Sequence, residues 1–344
     1  MPMAKTDTMG DMMRTRDLAV NATQTTPTVK DDATDVRPGS LRSLVGQREA
    51  VAQLELLCAA ARARGEPVCH LLMTGPPGLG KTSLAYAVAA EMGQEPFATI
   101  GDTLGPETLG KLLGSGKRNA LVFIDEVHTL SKRCQTLLLG ALEDGWVDVS
   151  TPVGPQRREV LPFTLVGATT NPGDLSDPLK DRFGHTVELG YYGFSDLERV
   201  ATRTAATMGL ALSPEALAGV ADRSHGTPRV ANMLLSRLRD YLAVNHPELD
   251  DLVSGSILTA GMQFFGIDQF GLTERDRAYL RLIHDRFRDG PIGEQQLAIQ
   301  LGMDTRTVRE DVEPPLLRLG FIGRAPRGRV LLPDGIEYVR EMAE

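Results

Sequence analysis

The chain has 344 residues, enough for two or three domains with sizeable cores. Its 42% hydrophobic and 24% charged content is ordinary for a globular protein, and apolar runs such as 71–73 and 120–124 are far too short to span a bilayer. A net charge of −8 argues against a protein that coats nucleic acid over its whole surface, while leaving room for a local basic patch.

Residues 1–36 are rich in Thr, Asp and Met without aliphatic clustering and read as a disordered tail. They hold no apolar core of a signal peptide, so the expected location is cytoplasmic. Cys58, Cys69 and Cys134 share no metal-ligand spacing and read as free thiols. From 46 to 63, Val51, Leu54, Leu57 and Ala61 recur at helical spacing until Gly65 and Pro67 break it. Strand and helix then alternate. A strand is expected at 70–74, a glycine-rich loop, a helix at about 80–92, and an almost wholly apolar strand at 120–125. A helix at 132–143, a hairpin at 147–161 and a buried strand at 163–169 follow. This order predicts a doubly wound α/β domain with a parallel sheet. Residues 194–262 read as helical throughout, and 271–333 as helices followed by a short hairpin broken by glycine.

Gly75-Pro76-Pro77-Gly78-Leu79-Gly80-Lys81-Thr82 fits G-x-x-x-x-G-K-[ST] between an expected strand and an expected helix that continues through Ser83. Such a loop aims backbone N–H groups and a helix N-terminus at phosphate oxygens. Lys81 is expected to reach the β- and γ-phosphates and Thr82 to ligate Mg²⁺. Asp125 and Glu126 follow an apolar strand, at the end where α/β sheets place ligands. Asp125 is expected to hold Mg²⁺, and Glu126 to orient and deprotonate the attacking water. Alone, this acidic pair would be an ordinary solvated strand end; beside the Lys81 loop that reading weakens. Thr169-Thr170-Asn171 closes the next strand, where a polar side chain serves either a γ-phosphate or a turn.

Together these residues resemble an AAA+ ATPase. GPPGLGKT, FIDEVHTLS, ALEDGWVDV, FTLVGATTNPG, PLKDRFG, RSHGTPRVANMLL and GFIGRAPRGRV, in this order from about Arg37 to Pro333, are similar to the RuvB family of motors that migrate Holliday junctions. The resemblance implies an α/β P-loop AAA+ domain (37–190), an all-α lid (191–265) and a C-terminal winged-helix domain (266–344). It implies ATP and Mg²⁺ as cofactors, double-stranded DNA as substrate, a homo-hexameric ring, and ATP sites at subunit interfaces. Arg182 matches the finger that reaches the neighbouring subunit's phosphate; by itself it would read as a surface arginine paired with Asp177 or Asp181. Thr170 matches the first sensor and Arg229 the second. Leu44, Val45 and Tyr191 or Tyr192 are expected at the adenine. Arg324, Arg327 and Arg329 on the terminal hairpin are expected to contact DNA backbone.

The resemblance also implies docking on RuvA through the hairpin at 147–161. Here the tip is Ser150-Thr151-Pro152-Val153, with Val149 and Val153 the obvious apolar anchors, and this departure from the family pattern weighs against the standard RuvA partnership. The readings in competition are a clamp-loader-like or helicase-loader switch and a DNA-binding regulator that uses ATP only for assembly. The arginine-rich wing speaks against the first and Glu126 against the second.

Overall fold

The computed structural model describes residues 39–151, 154–248 and 251–342; the tail expected at 1–36 lies outside them. The chain enters through helix α1 (Arg48–Arg64), which ends where Gly65 takes a left-handed conformation. Strand β1 (Leu71–Thr74), helix α2 (Lys81–Glu91), strand β2 (Phe97–Ile100), helix α3 (Pro106–Gly114) and strand β3 (Ala120–Asp125) follow. Helix α4 (Lys132–Glu143), the hairpin of β4 (Trp146–Thr151) and β5 (Gly154–Glu159), strand β6 (Phe163–Thr169), the short helix α5 (Asp177–Lys180) and strand β7 (His185–Glu188) complete the domain.

Five strands form one parallel sheet in the order β2-β3-β6-β1-β7. The side-chain period of two divides each buried strand between two cores. Leu121 and Phe123 of β3 pack with α1 and α2, whereas Val122 and Ile124 pack with α3 and α4. Strand β6 is buried along its whole length. The expected doubly wound sheet is therefore present. Strand β2, Phe-Ala-Thr-Ile, is an edge strand of four residues with Phe97 and Ile100 exposed, too short for a side-chain period to mark it in the sequence.

Four helices form the second unit: α6 (Phe194–Thr207), α7 (Pro214–Arg223), α8 (Pro228–Asn245) and α9 (Gly255–Phe264), around a core of small and aliphatic side chains. The third unit runs through α10 (Glu274–Phe287), α11 (Glu294–Leu301), α12 (Thr305–Thr307), α13 (Glu313–Arg318), the hairpin β8 (Ile322–Ala325) and β9 (Gly328–Leu331), and α14 (Pro333–Glu341). Between α12 and α13 the helix widens into a π turn, Val308–Val312. Pro314 and Pro315 cannot donate to the preceding turn, so a regular ladder cannot pass through them.

Candidate active site

The ends of β1, β3 and β6 converge because those strands are neighbours in register. The loop from Gly75 to Gly80 leaves β1, and α2 begins at Lys81. Lys81 is buried, and its Nζ donates to the carbonyls of Gly75 (2.8 Å) and Pro76 (2.9 Å). The ammonium is thus folded over its own loop, positioned where phosphate oxygens would replace those carbonyls. Burial pushes it below its ordinary pKa, while the carboxylates of Glu126 and Asp125 oppose that shift. Thr82 and Ser83 occupy the first turn of α2.

Asp125 Oδ2 accepts from Thr82 Oγ1 (3.3 Å), and Oδ1 accepts from the Glu126 backbone N–H (3.0 Å). Burial raises the Asp125 pKa, and those two hydrogen bonds pull it back. Two hard oxygen donors side by side at the phosphate loop suit Mg²⁺, which keeps most of its shell for water and phosphate. Glu126 has φ 46°, a left-handed conformation uncommon for a residue with a side chain. This turn aims its carboxylate across to β6 rather than along β3. There Oε2 accepts from the Thr170 N–H (3.2 Å) and the Thr170 hydroxyl (3.1 Å), and His128 Nδ1 lies 3.3 Å away. His128 Nδ1 also lies 2.8 Å from Thr169 Oγ1, which accepts from the Asn171 N–H. Thr170 is therefore placed to control where the Glu126 carboxylate points.

The lid meets the loop at Gly78. A Cβ there would stand 2.7 Å from Thr227 Cγ2 and 2.9 Å from Arg229 Cβ, so only glycine permits this approach. Pro228 and Arg229 open α8, the Arg229 N–H points at the Gly78 carbonyl (3.4 Å), and the Arg229 charge is near enough to oppose that of Lys81. On the other flank Leu44 and Val45 are half-buried beside Gly46, which packs against the ring of Tyr192. Of the two tyrosines it is Tyr192, not Tyr191, that faces the loop. Tyr192 is buried, and its hydroxyl donates to Leu79 O (3.4 Å). Burial pushes that hydroxyl to about 12, so it stays a donor. Tyr191 is exposed and lies under Arg318 instead.

Arg182 is not in this cluster. It precedes β7, whereas the phosphate loop follows β1, and those strands run parallel with Leu71 beside His185. The four paired residues alone hold the two ends of the sheet roughly 10 Å apart. Arg182 ion-pairs with Glu143 at the end of α4, and both groups are partly exposed.

The terminal hairpin divides the three expected DNA arginines. Arg327 is exposed and has no ion-pair partner among the described residues. Arg324 is exposed and lies 3.5 Å from Glu313. Arg329 is turned inward. Its Nε donates to Glu313 Oε1 (2.7 Å) and its Nη2 to Glu294 Oε2 (2.7 Å) and Glu313 Oε2 (3.2 Å). Glu313 is fully buried, and a buried carboxylate needs this cation. Arg324 in β8 and Arg329 in β9 are paired opposite one another and both reach toward Glu313, whereas Arg327 lies in the turn between the strands, and the PRGR string alone does not reveal this.

Residues 36–189 match the RuvB P-loop domain of the Holliday junction DNA helicase, 192–268 the RuvB AAA lid domain, and 269–340 the RuvB C-terminal winged-helix domain. A "Holliday junction branch migration complex subunit RuvB" from Methanoregula boonei is 41% identical over 323 residues, covering 91% of this chain and 94% of that protein. The chain belongs to the RuvB family. A relative of the same name from Mycobacterium tuberculosis H37Rv is 42% identical over 300 residues, with 86% of each chain covered. The solved "Thermotoga maritima RuvB Holliday junction branch migration motor" superposes with a TM-score of 0.79 at 38% identity, covering 88% of this chain and 98% of that one.

As a RuvB-family chain it is a nucleotide-binding P-loop ATPase of the AAA+ class with lid and winged-helix domains. Some participants escaped sequence reasoning. His128 was visible beside the acidic pair but carried no sign that it would share Glu126 with Thr170. Glu143 sits in the ALEDGW motif, 39 residues from the arginine that it holds. No described helix is long and apolar enough to cross a membrane.

Proposed function

We propose that this chain is an ATP-driven motor that translocates double-stranded DNA and drives branch migration of Holliday junctions in recombination and repair, working as a homo-hexameric ring in the cytoplasm. The observation that carries the reading is a pairing of positions. A hydrolytic site built from Lys81, Thr82, Asp125, Glu126, Thr170 and Arg229 gathers at one end of the sheet, and Arg182 lies at the other end.

With ATP bound, the loop N–H groups and Lys81 hold the β- and γ-phosphates, and Thr82 and Asp125 would hold Mg²⁺, which neutralises phosphate charge. Glu126 takes the proton of the attacking water. Its hydrogen bonds to Thr170 make it available only when Thr170 lets it point at that water. Arg182 cannot reach its own phosphates. Supplied by a neighbour, it stabilises the charge that builds on the γ-phosphoryl, and hydrolysis then requires assembly. Its hold on Glu143 is an exposed pair worth about 0–1 kcal/mol, easily exchanged for phosphate. Arg229 reads the presence of the γ-phosphate and passes it to the lid.

DNA contact falls to Arg327 and Arg324, since Arg329 is committed to buried carboxylates. Contacts of guanidinium to phosphate carry no sequence information, which suits a motor that tracks along any duplex. A RuvA-like partner would meet the β4–β5 hairpin. Val149 is buried against α3, near Gly110 and Gly114, and cannot serve as an anchor there; Val153 lies outside the described residues. Gln156, Arg157 and Arg158 are all exposed, but Arg158 lies beside Gly114 of α3 on the face of Val147 and Val149, while Arg157 takes the opposite face and sits over Trp146. A partner here would be held through charge and the tryptophan face rather than an apolar tip.

The test is steady-state ATP hydrolysis without DNA, with linear duplex and with a four-way junction, each with and without a RuvA protein. Stimulation by duplex, increased by RuvA on the junction, is expected. Hydrolysis indifferent to every DNA would sink the reading.

A further inference from the structure

Arg318 ends α13 in the winged-helix domain, yet its guanidinium serves the other two domains. Its Cζ lies 4.6 Å from the centre of the Tyr191 ring, and its Nη2 points at Tyr192 O (3.5 Å). It also fills the space above Gly226, where a Cβ would meet Cζ at 2.6 Å. Tyr191-Tyr192 is the segment that joins β7 of the ATPase domain to α6 of the lid. Gly226, with φ +76°, is the turn that places Thr227 and Arg229 against the phosphate loop. The two are tied to each other, because the Tyr192 N–H donates to Gly226 O (2.9 Å). Tyr192 continues to the loop itself through Leu79 O. One cation from the DNA-binding domain therefore rests on the hinge whose far side is the nucleotide site.

A second set of contacts makes that placement mechanical. The connection between the lid and the winged-helix domain passes through Asp268, and both domains grip it. From the lid, Arg223 Nε donates to Asp268 O (3.0 Å). The Asp268 carboxylate accepts from the N–H groups of Phe270 and Leu272 (2.9 Å each) and from the hydroxyl of Tyr338 in α14, and it pairs with Arg277 of α10 (3.6 Å). The connection is thus held by both domains rather than being a loose linker.

We propose that Arg318 is a positioning residue for the DNA stimulation of ATP hydrolysis, not for basal turnover. It reports the engagement of the DNA-binding domain to the Tyr191–Tyr192/Gly226 hinge, and so adjusts the approach of Arg229 to Gly78 and the phosphates when DNA is bound. The inference rests on the motor reading above. The position suits arginine because a planar guanidinium can stack on Tyr191 and still aim an N–H at a carbonyl; a lysine ammonium has no plane to stack and no fixed fork of donors, and holds this geometry less well.

The experiment uses full-length protein and three readouts: hydrolysis as a function of ATP without DNA, the same with saturating linear duplex, and duplex affinity by fluorescence anisotropy. Arg318→Ala and Arg318→Lys are both expected to keep basal kcat and KM and duplex affinity, while DNA stimulation falls about fivefold or more, the range of a typical coupling. Tyr191→Phe, which keeps the ring, should retain stimulation, and Tyr191→Ala should lose it as Arg318→Ala does. A folding defect would lower basal hydrolysis and duplex affinity together, and that result would overturn the proposal. So would full stimulation of Arg318→Ala at equal DNA occupancy, or rescue by lysine. If the unsubstituted protein ignores DNA, the motor reading fails and this inference falls with it; the unsubstituted protein alone distinguishes that case from a failure of Arg318.

Discussion

The phosphate end of the ATPase sheet and the arginine-bearing outer faces of the molecule are built on opposite plans. At the phosphate end the polar groups are tied within the subunit: Lys81 to its own loop, Thr82 to Asp125, Thr170 to Glu126. These groups are largely screened from water, so their geometry is set before any ligand arrives. Arg182 and Arg327 are exposed; the first has an exchangeable partner and the second none among the described residues. On the proposed reading, Lys81, Thr82 and Thr170, which act inside one subunit, are preorganised, and the arginines proposed for a neighbour or for DNA are left available.

The largest effect should come from the outer face, which is the sharpest test of that division. Arg182→Ala should keep nucleotide affinity while hydrolysis by the assembled protein falls about 10³-fold or more, as for other arginine fingers. Nucleotide binding that weakens in step with hydrolysis would place Arg182 in its own subunit's site and break the comparison. At the phosphate end, Glu126→Gln should bind ATP and lower kcat by about 10²-fold or more, the usual loss for a general base. Unchanged kcat would leave the Thr170–Glu126 pair without a catalytic role.

On the wing the comparison predicts that neighbouring arginines differ in kind. Arg329→Ala leaves the buried Glu313 carboxylate only the Tyr279 hydroxyl and the more distant Arg324 among the described residues, and should cost up to roughly 3–5 kcal/mol of stability, read by denaturant unfolding. Arg327→Ala should leave stability alone, weaken duplex binding, and reduce the salt dependence of binding by about one unit of slope for one lost phosphate contact. A stability loss at Arg327, or a DNA defect without instability at Arg329, would reverse the assignment of the two.

The same division explains what could be read from the chain alone. Strands β1, β3 and β6 announce themselves as apolar runs because they are buried on both faces, and the loop at Gly75–Thr82 and the pair Asp125-Glu126 follow them within a few residues. Local spacing encodes local geometry. Strand β2 escaped because four residues, Phe-Ala-Thr-Ile, are too few to set a strand's period apart from a short apolar stretch. Tyr191 and Tyr192 are adjacent and alike, and only the pleat of the chain decides which one meets Leu79. Arg329 and Arg327 differ because the first lies in β9 against Glu313 and Glu294 while the second lies in the turn before it. The partner of Arg182 in cis, and the contact of Arg318 with a hinge 126 residues away, depend on tertiary approach that no short pattern records.

The central claim is that Arg182 completes the site of another subunit, and mixing two inactive proteins tests it most directly. Lys81→Ala subunits cannot hold phosphate but still offer Arg182; Arg182→Ala subunits hold nucleotide but lack the finger. If the claim is right, titrating one into the other in the presence of duplex restores hydrolysis above the sum of the two alone, with a maximum at intermediate ratios where hybrid interfaces are most numerous. No recovery at any ratio, in mixtures shown to co-assemble, would contradict it.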